Sequence, residues 1–189
     1  MSYAIYYPAG ECDNLPDHIP EVCAGEDTEQ ARVSSVALIH KSVIASIKTD
    51  PSVAAAWLAA IQLKKVYIIP ETQGSYDGGT PVKGTGYGRL KEKIISFDGV
   101  VTYKDPAYKA NGPFYNALAK SNSWHIAFCT ETQIHVSDTP ATFAPKNEVV
   151  DDVTGEVVWT IEASFNQPGV LAPFDIPAGI FEPIFDYVP

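Results

Sequence analysis

Positively charged residues are scarce in this chain, and the first thirty positions contain none. The 189 residues include 13 Lys and Arg against 23 Asp and Glu, which gives a formal net charge of −10. Proteins that bind nucleic acid regardless of its sequence, or that bind anionic membranes, need surface Lys and Arg to meet the phosphates. The charge therefore argues against both functions.

The charge is also distributed unevenly along the sequence. Residues 1–30 carry seven acids and no base, residues 31–130 carry twelve bases and six acids, and residues 131–189 carry ten acids and one base. The net charges of these segments are −7, +6 and −9. Two interpretations stay open: the charges mix on the folded surface, or opposite patches steer subunits into head-to-tail or ring association.

Cysteines and long apolar runs are few. Three cysteines, Cys12, Cys23 and Cys129, favour free thiols over a disulfide framework, although an oxidising exterior would allow Cys12 to pair with Cys23. No apolar run approaches the roughly 20 residues of a membrane-spanning helix. The first eight residues also lack the basic and apolar regions of a secretory signal. We therefore expect the protein to be made and kept in a cytoplasm.

The common signatures of enzymes are missing as well. The sequence has no Gly-x-Ser-x-Gly motif, and no Gly-Lys-Ser/Thr follows the glycines of residues 84–88, as a phosphate-binding loop would require. Cys129 lies inside a predicted strand, where a thiol is usually buried and unreactive. We predict a non-enzymatic protein that uses no cofactor.

Candidate metal ligands do not form a recognisable set. His125 and His135 lie on neighbouring predicted strands, but no carboxylate or cysteine stands at a metal-binding spacing beside them. We expect both to be half-exposed strand residues. Cys12, His18 and Cys23 supply at most three zinc ligands, so we predict no metal site.

Proline and glycine are plentiful, with 15 and 13 residues, and they favour strands joined by turns over a helical bundle. Residues 156–165 alternate between apolar and polar, which predicts a half-buried antiparallel strand. The segment 89–103 is predicted to form two strands joined by a turn at Asp98-Gly99. The remaining predicted strands lie in 32–48 (one or two strands), 66–69, 124–130, 133–137 and 146–150.

Two short helices and one loop complete the predicted domain. Asp50 and Pro51 suit the N-cap and the first position of a helix that runs to Lys65. Its predicted apolar face consists of Val53, Trp57, Leu58 and Ile61. Residues 113–120 are predicted to form the second helix, and the glycine-rich residues 71–88 a long mobile loop.

These elements indicate a mainly β (α+β) fold: an antiparallel β-sandwich or barrel with two short helices and extended terminal arms. Residues 1–30 form an acidic N-terminal extension, residues 31–165 a single β-rich domain, and residues 166–189 a proline-rich apolar arm. The apolar side chains of such an arm are expected to be buried against another protein surface. The arm lies either on its own sandwich or, the interpretation we favour, across a neighbouring subunit.

The predicted subunit interface combines this arm with two tyrosines of the glycine-rich loop. Its residues are Phe174, Ile176, Ile180, Phe181, Phe185, Tyr187, Tyr76 and Tyr87.

The layout of residues 33–166 resembles that of small virion proteins from tailed bacteriophages of the Bacteroidetes, including the crAss-like phages. The similarity rests on soft aromatic motifs and not on catalytic signatures. These motifs are His40-Lys41, Ala56–Leu58, Lys65–Glu71, Gly74–Tyr76, Phe114–Leu118, Phe128–Thr130 and Val158–Glu162.

The resemblance implies a non-enzymatic structural protein of the virion, assembled in the host cytoplasm. Many copies would form a ring or tube of the tail or neck through which DNA passes, in contact with adjoining virion proteins. An acidic surface formed by residues 131–189 would then face the channel, because carboxylates repel phosphates. The alternative is a decoration of the head or tail surface, or a carbohydrate-binding module.

Overall fold

The computed structural model describes residues 32–70, 72–85, 92–147 and 157–181. The helices in these ranges are α1 (Ile44–Lys48), α2 (Ala54–Gln62) and α3 (Tyr108–Leu118). The strands are β1 (Ser35–His40), β2 (Val66–Ile69), β3 (Gln73–Tyr76), β4 (Thr80–Thr85), β5 (Glu92–Asp105), β6 (Trp124–Cys129), β7 (Gln133–Val136), β8 (Thr142–Asn147), β9 (Trp159–Gln167) and β10 (Phe174–Asp175).

The strands form two antiparallel sheets. The first sheet has the order β10-β7-β6-β1-β2, and the second has the order β3-β5-β9-β8, with β4 also paired to β5. The two sheets face each other across a common apolar core. This arrangement confirms the predicted mainly β, antiparallel sandwich, although the described residues contain three helices and not two.

The core between the sheets follows from strand alternation. Residues at alternate positions of β1, β6, β5 and β9 point inward, and α3 closes the sandwich with Tyr115 and Leu118. The inward residues of the four strands are Val36, Leu38, Val101, Tyr103, Ile126, Phe128, Trp159, Ile161, Ala163 and Phe165. The alternation predicted for 156–165 is therefore confirmed in β9.

A second core lies on the outer face of the first sheet. Strand β1 is buried on both faces, because Ala37 and Ile39 point away from the sandwich and contact the helical layer. Helices α1 and α2 contribute Ile47 and Trp57 to this second core. The molecule thus has three layers, with helices covering one of the two sheets.

Helix α1 replaces the second strand predicted within residues 32–48. The β-branched residues favoured a strand, but Ile44–Lys48 turns back over the sheet and buries Ile47 completely. Burial of one side chain against the sheet outweighs a weak local preference. The prediction of a strand here was wrong.

Helix α2 begins later than predicted. The Asp50 carboxylate accepts hydrogen bonds from the backbone and side chain of Ser52 and so forms a turn instead of a helix cap. The carbonyl of Pro51 accepts a 2.8 Å hydrogen bond from the indole nitrogen of Trp57. The helix ends at Gln62 and not at Lys65.

The predicted apolar face of α2 is correct only in part. Trp57 is fully buried and Ile61 half-buried, whereas Val53 and Leu58 are exposed to 45% and 50%. Fewer apolar residues of α2 are therefore buried than the sequence predicts.

The glycine-rich segment and the strand after it also differ from prediction. Residues 73–76 and 80–85 form β3 and β4, so the predicted loop over 71–88 was wrong where the structure describes it. Strand β5 runs unbroken through Asp98-Gly99, so the predicted turn there was wrong as well. Glycine is needed at position 99 for a different reason: a Cβ atom there would lie 2.7 Å from the ring of Phe165.

Strands β6 and β7 agree closely with the predicted strands 124–130 and 133–137. Strand β8 pairs with β9, but it spans Thr142–Asn147 and shares only its last two residues with the predicted strand 146–150, the rest of which lies outside the described residues. Helix α3 starts at Tyr108, five residues before the predicted start, and contains Pro113.

A buried polar cluster fastens α3 to the end of β5. The Asp105 carboxylate is 3% exposed and accepts 2.6 Å hydrogen bonds from the Tyr115 hydroxyl and the Asn111 side-chain amide. Its other oxygen accepts a hydrogen bond from the backbone of Ala107. Burial raises the pKa of Tyr115 well above the ordinary value, so its hydroxyl keeps its proton.

Within the described ranges, no helix has the length and hydropathy that crossing a membrane would require.

Candidate functional site

A two-stranded ribbon extends beyond the sandwich. It consists of β4 and residues 92–98 of β5, paired from Thr80 opposite Asp98 to Thr85 opposite Glu92, with a one-residue shift of register between Val82 and Lys83. Strand β9 ends with Gln167 opposite Phe97. Beyond that point, the described part of the chain places no strand on the other edge of β5.

The ribbon has no core of its own. None of its described side chains is buried. Ile94 and Ile95 are 48% and 59% exposed. Ile94 pairs with Lys83, whereas the Ile95 side chain lies on the side of the next residue, Gly84, so each face carries one isoleucine. A lone two-stranded hairpin is marginally stable in water, so such a ribbon gains stability when it packs against something else.

The pairing along one edge of β5 is interrupted at the base of the ribbon. Strands β3 and β4 run in the same direction along one edge of β5 and are separated by residues 77–79. One carboxylate oxygen of Asp77 accepts 3.0 Å hydrogen bonds from the backbone of Gly79 and of Val100. Gly78 and Gly79 adopt positive φ angles of 81° and 83°, which favour glycine.

The two strands of the ribbon carry two lysines and two acids, and the basic excess of residues 80–98 comes from the segment that joins them. Lys83 forms an exposed ion pair with Glu92 at 3.0 Å, which leaves Lys93 without an ion-pair partner among the described residues. In the sequence, the segment that joins the two strands adds Arg89 and Lys91. An acidic surface is therefore the complementary partner.

The described part of the C-terminal arm packs mainly on its own chain. Phe181 is only 9% exposed and stands edge-on to Trp57, with ring centroids 5.0 Å apart. Ile176 and Ile180 are half-buried against the same second core, whereas Phe174 is 37% exposed on the edge strand β10. The structure thus follows the first alternative for the arm, and a subunit contact through these residues stays a prediction.

The tyrosines and the last aromatic residues of the predicted interface lie in different places. Tyr76 is half-buried at the edge of the sandwich core, 5.0 Å from the ring of Phe128. Tyr87, Phe185 and Tyr187 lie outside the described residues. The interface they were predicted to form stays a prediction.

The two strand histidines lie apart in the register. His135 pairs with Phe128, and its ring stacks on that ring at 5.0 Å. His125 is 4% exposed, so the prediction that it is half-exposed was wrong, whereas His135 is half-buried. In the described ranges no three His, Cys, Asp or Glu residues gather into a metal-binding group. Cys12, His18 and Cys23 lie outside these ranges.

The acids of residues 131–189 do not form one surface where they are described. Asp138 pairs with Lys48 at 2.6 Å, and Glu162, on the outer face of the second sheet, pairs with Lys146 at 3.4 Å. Glu131 and Asp175 belong to the first sheet and its connections. A channel-facing acidic surface therefore stays a prediction.

Sequence reasoning missed the ribbon. Ile94 and Ile95 were placed in a strand, but consecutive apolar residues usually indicate a strand buried on both faces. Both residues are exposed because β9 ends before it reaches them. Its last residue, Gln167, pairs with Phe97, which is 70 residues away in the chain.

Comparison with known proteins identifies no relative: no family model, curated protein or solved structure matches this chain.

Proposed function

We propose that this protein is a non-enzymatic structural subunit of a tailed-phage virion. Many copies assemble into a ring or tube of the tail or neck through which DNA passes. The ribbon carries this proposal. A projecting, coreless hairpin with an isoleucine on each face is suited to lie across a neighbouring copy, which would supply the packing that it lacks.

The charge pattern supports contact between identical copies. In the sequence, residues 80–98 contain four bases and two acids, whereas the segments 1–30 and 131–189 have net charges of −7 and −9. A contact between unlike surfaces repeats from one copy to the next and closes into a ring when the rotation permits. The resemblance to phage virion proteins, carried by residues 33–166, supplies the tail or neck location.

Sedimentation velocity and electron microscopy of the full-length chain test the assembly. We expect concentration-dependent multimers or rings for the natural sequence. Ile95→Asp should shift the chain to monomers because it places a charge in the ribbon contact. Val53→Asp is the matched control: Val53 is 45% exposed and lies outside both the ribbon and the C-terminal arm, so multimers should persist.

A chain that stays monomeric at every concentration, or equal behaviour of the two variants, contradicts assembly through the ribbon. The location is tested separately by cross-linking mass spectrometry of purified particles. Cross-links to tail or neck proteins support the proposal, and cross-links only to surface decorations favour the alternative.

A further inference from the structure

Helix α2 presents an uncharged face to solvent. Ala55, Leu58, Ala59 and Gln62 are exposed at spacings of three and four residues, which places them on one side of the helix. Leu63 follows directly and is 65% exposed. We call these five residues the α2 outer face.

Lysines border the α2 outer face at its C-terminal end. Lys64 is exposed and Lys65 half-buried. Neither residue takes part in an ion pair with another described residue. An apolar strip that ends in two positive charges fits a ligand that combines apolar side chains with carboxylates.

The C-terminal arm reaches the other side of the same helix. The ring of Phe181 contacts Trp57, the fully buried residue of α2. Phe181, to which residues 182–189 are joined in the sequence, therefore lies beside α2. Eight residues span up to about 26 Å when extended, and a nine-residue helix is about 14 Å long, so this segment is long enough to cover the outer face.

The sequence of this segment matches the chemistry of the α2 outer face. Residues 182–189 contain two acids, Glu182 and Asp186, and no base. Between and beside these acids stand four large apolar residues, namely Ile184, Phe185, Tyr187 and Val188. Pro183 and Pro189 in this segment disfavour a helix. An extended segment can place alternate side chains on a surface.

We propose that residues 182–189 dock on the α2 outer face of their own chain, with Ile184, Phe185 and Tyr187 against Leu58 and Leu63. Glu182 and Asp186 meet Lys64 and Lys65. The anchor at Phe181 holds the segment at a high effective concentration near α2, which favours docking on the same copy over docking on another. This inference is independent of assembly through the ribbon.

Photo-cross-linking of the full-length chain tests the proposal. p-Benzoylphenylalanine is placed at position 58, and separately at position 63, in an equal mixture of ¹⁴N- and ¹⁵N-labelled protein. Position 164, occupied by the exposed Ser164 of β9, serves as the control. Positions 58 and 63 tolerate a large side chain because Leu58 and Leu63 are at least half exposed. Circular dichroism verifies that the variants fold.

We expect links from positions 58 and 63 to residues 182–189 in peptides of a single isotope, and none from position 164. The double variant Lys64→Glu and Lys65→Glu should lose most of these links. Mixed-isotope links mean that the segment docks on a second copy, and absence of links to 182–189 means that it docks elsewhere. Either result overturns the proposal without affecting the ribbon.

Discussion

The hydroxyl of Tyr115 donates a 2.6 Å hydrogen bond to the carboxylate of Asp105, and both side chains are buried. Asp105 ends β5 and Tyr115 lies in the middle of α3, so this bond joins the helix to the second sheet. Burial of a carboxylate is costly unless such donors replace the water it has lost.

Replacement of Tyr115 by Phe removes this donor and leaves the ring in place. We expect a loss of about 1.5–3 kcal/mol in the free energy of unfolding, the usual range for a hydrogen bond to a charged group. Urea denaturation measures the change. The control, Tyr67→Phe, alters a 43% exposed ring and should change stability by less than about 0.5 kcal/mol. Equal effects of the two substitutions would contradict the role of Asp105.

Gly99→Ala should destabilise the sandwich by roughly 1–3 kcal/mol, because the new methyl group would lie 2.7 Å from the Phe165 ring and 3.2 Å from that of Tyr76. Gly169→Ala is the matched control, since nothing lies within 4 Å of a Cβ there. Thermal unfolding compares the two. A neutral Gly99→Ala variant would show that the Phe165 ring does not lie so close to position 99.

The stability of the protein should fall as the pH drops below about 6.5. Burial is the largest effect and lowers the pKa of His125; the Ser137 carbonyl opposes it in part, and the smaller effects of Lys48 and Asp138 have opposite signs. The unfolded chain therefore binds a proton at a higher pH than the folded chain, and this difference favours unfolding in acid.

Urea unfolding at a series of pH values between 8 and 5 measures this dependence. His125→Asn should flatten the slope below about pH 6.5 relative to the natural sequence. An unchanged slope would assign the acid sensitivity to other groups. His40→Asn is the comparison and should flatten the slope less, because His40 is more exposed, although burial, Lys65 and Lys41 lower its pKa as well.

Cys129 should resist alkylation in the folded protein. The thiol is 1% exposed, and burial raises its pKa to about 12, so almost no thiolate is present at pH 8. Treatment with iodoacetamide followed by peptide mapping should modify Cys129 only after urea is added. Rapid modification without urea would mean that β6 opens readily.

The sequence predicts those elements in which one face meets the core and the other meets water. Strand β9 is the clearest case, since Trp159, Ile161 and Ala163 are buried and alternate with polar residues. Strands β6 and β7 of the first sheet are also located correctly, whereas β8 begins four residues before the predicted strand 146–150. In β6, β7 and β9 local pattern and tertiary burial agree.

Elements that depend on distant contacts are not predictable in this way. Helix α1 has only five residues, too few for a helical period, and it exists because Ile47 is buried on the sheet. Asp98-Gly99 has the composition of a turn, but Gly99 is needed for the close approach of Phe165. The exposure of Ile94 and Ile95 likewise depends on the end of β9.

Strand β5 belongs to both the ribbon and the sandwich, and this continuity has a mechanical consequence. Nine residue pairs, from Phe97 opposite Gln167 to Asp105 opposite Trp159, join β5 to β9. The interstrand hydrogen bonds lie perpendicular to the strands, so a pull along the ribbon loads all of them in shear instead of peeling them one at a time. A neighbour that held the ribbon would therefore pull on the whole sandwich, and tension would pass through the subunit before it unravelled the hairpin.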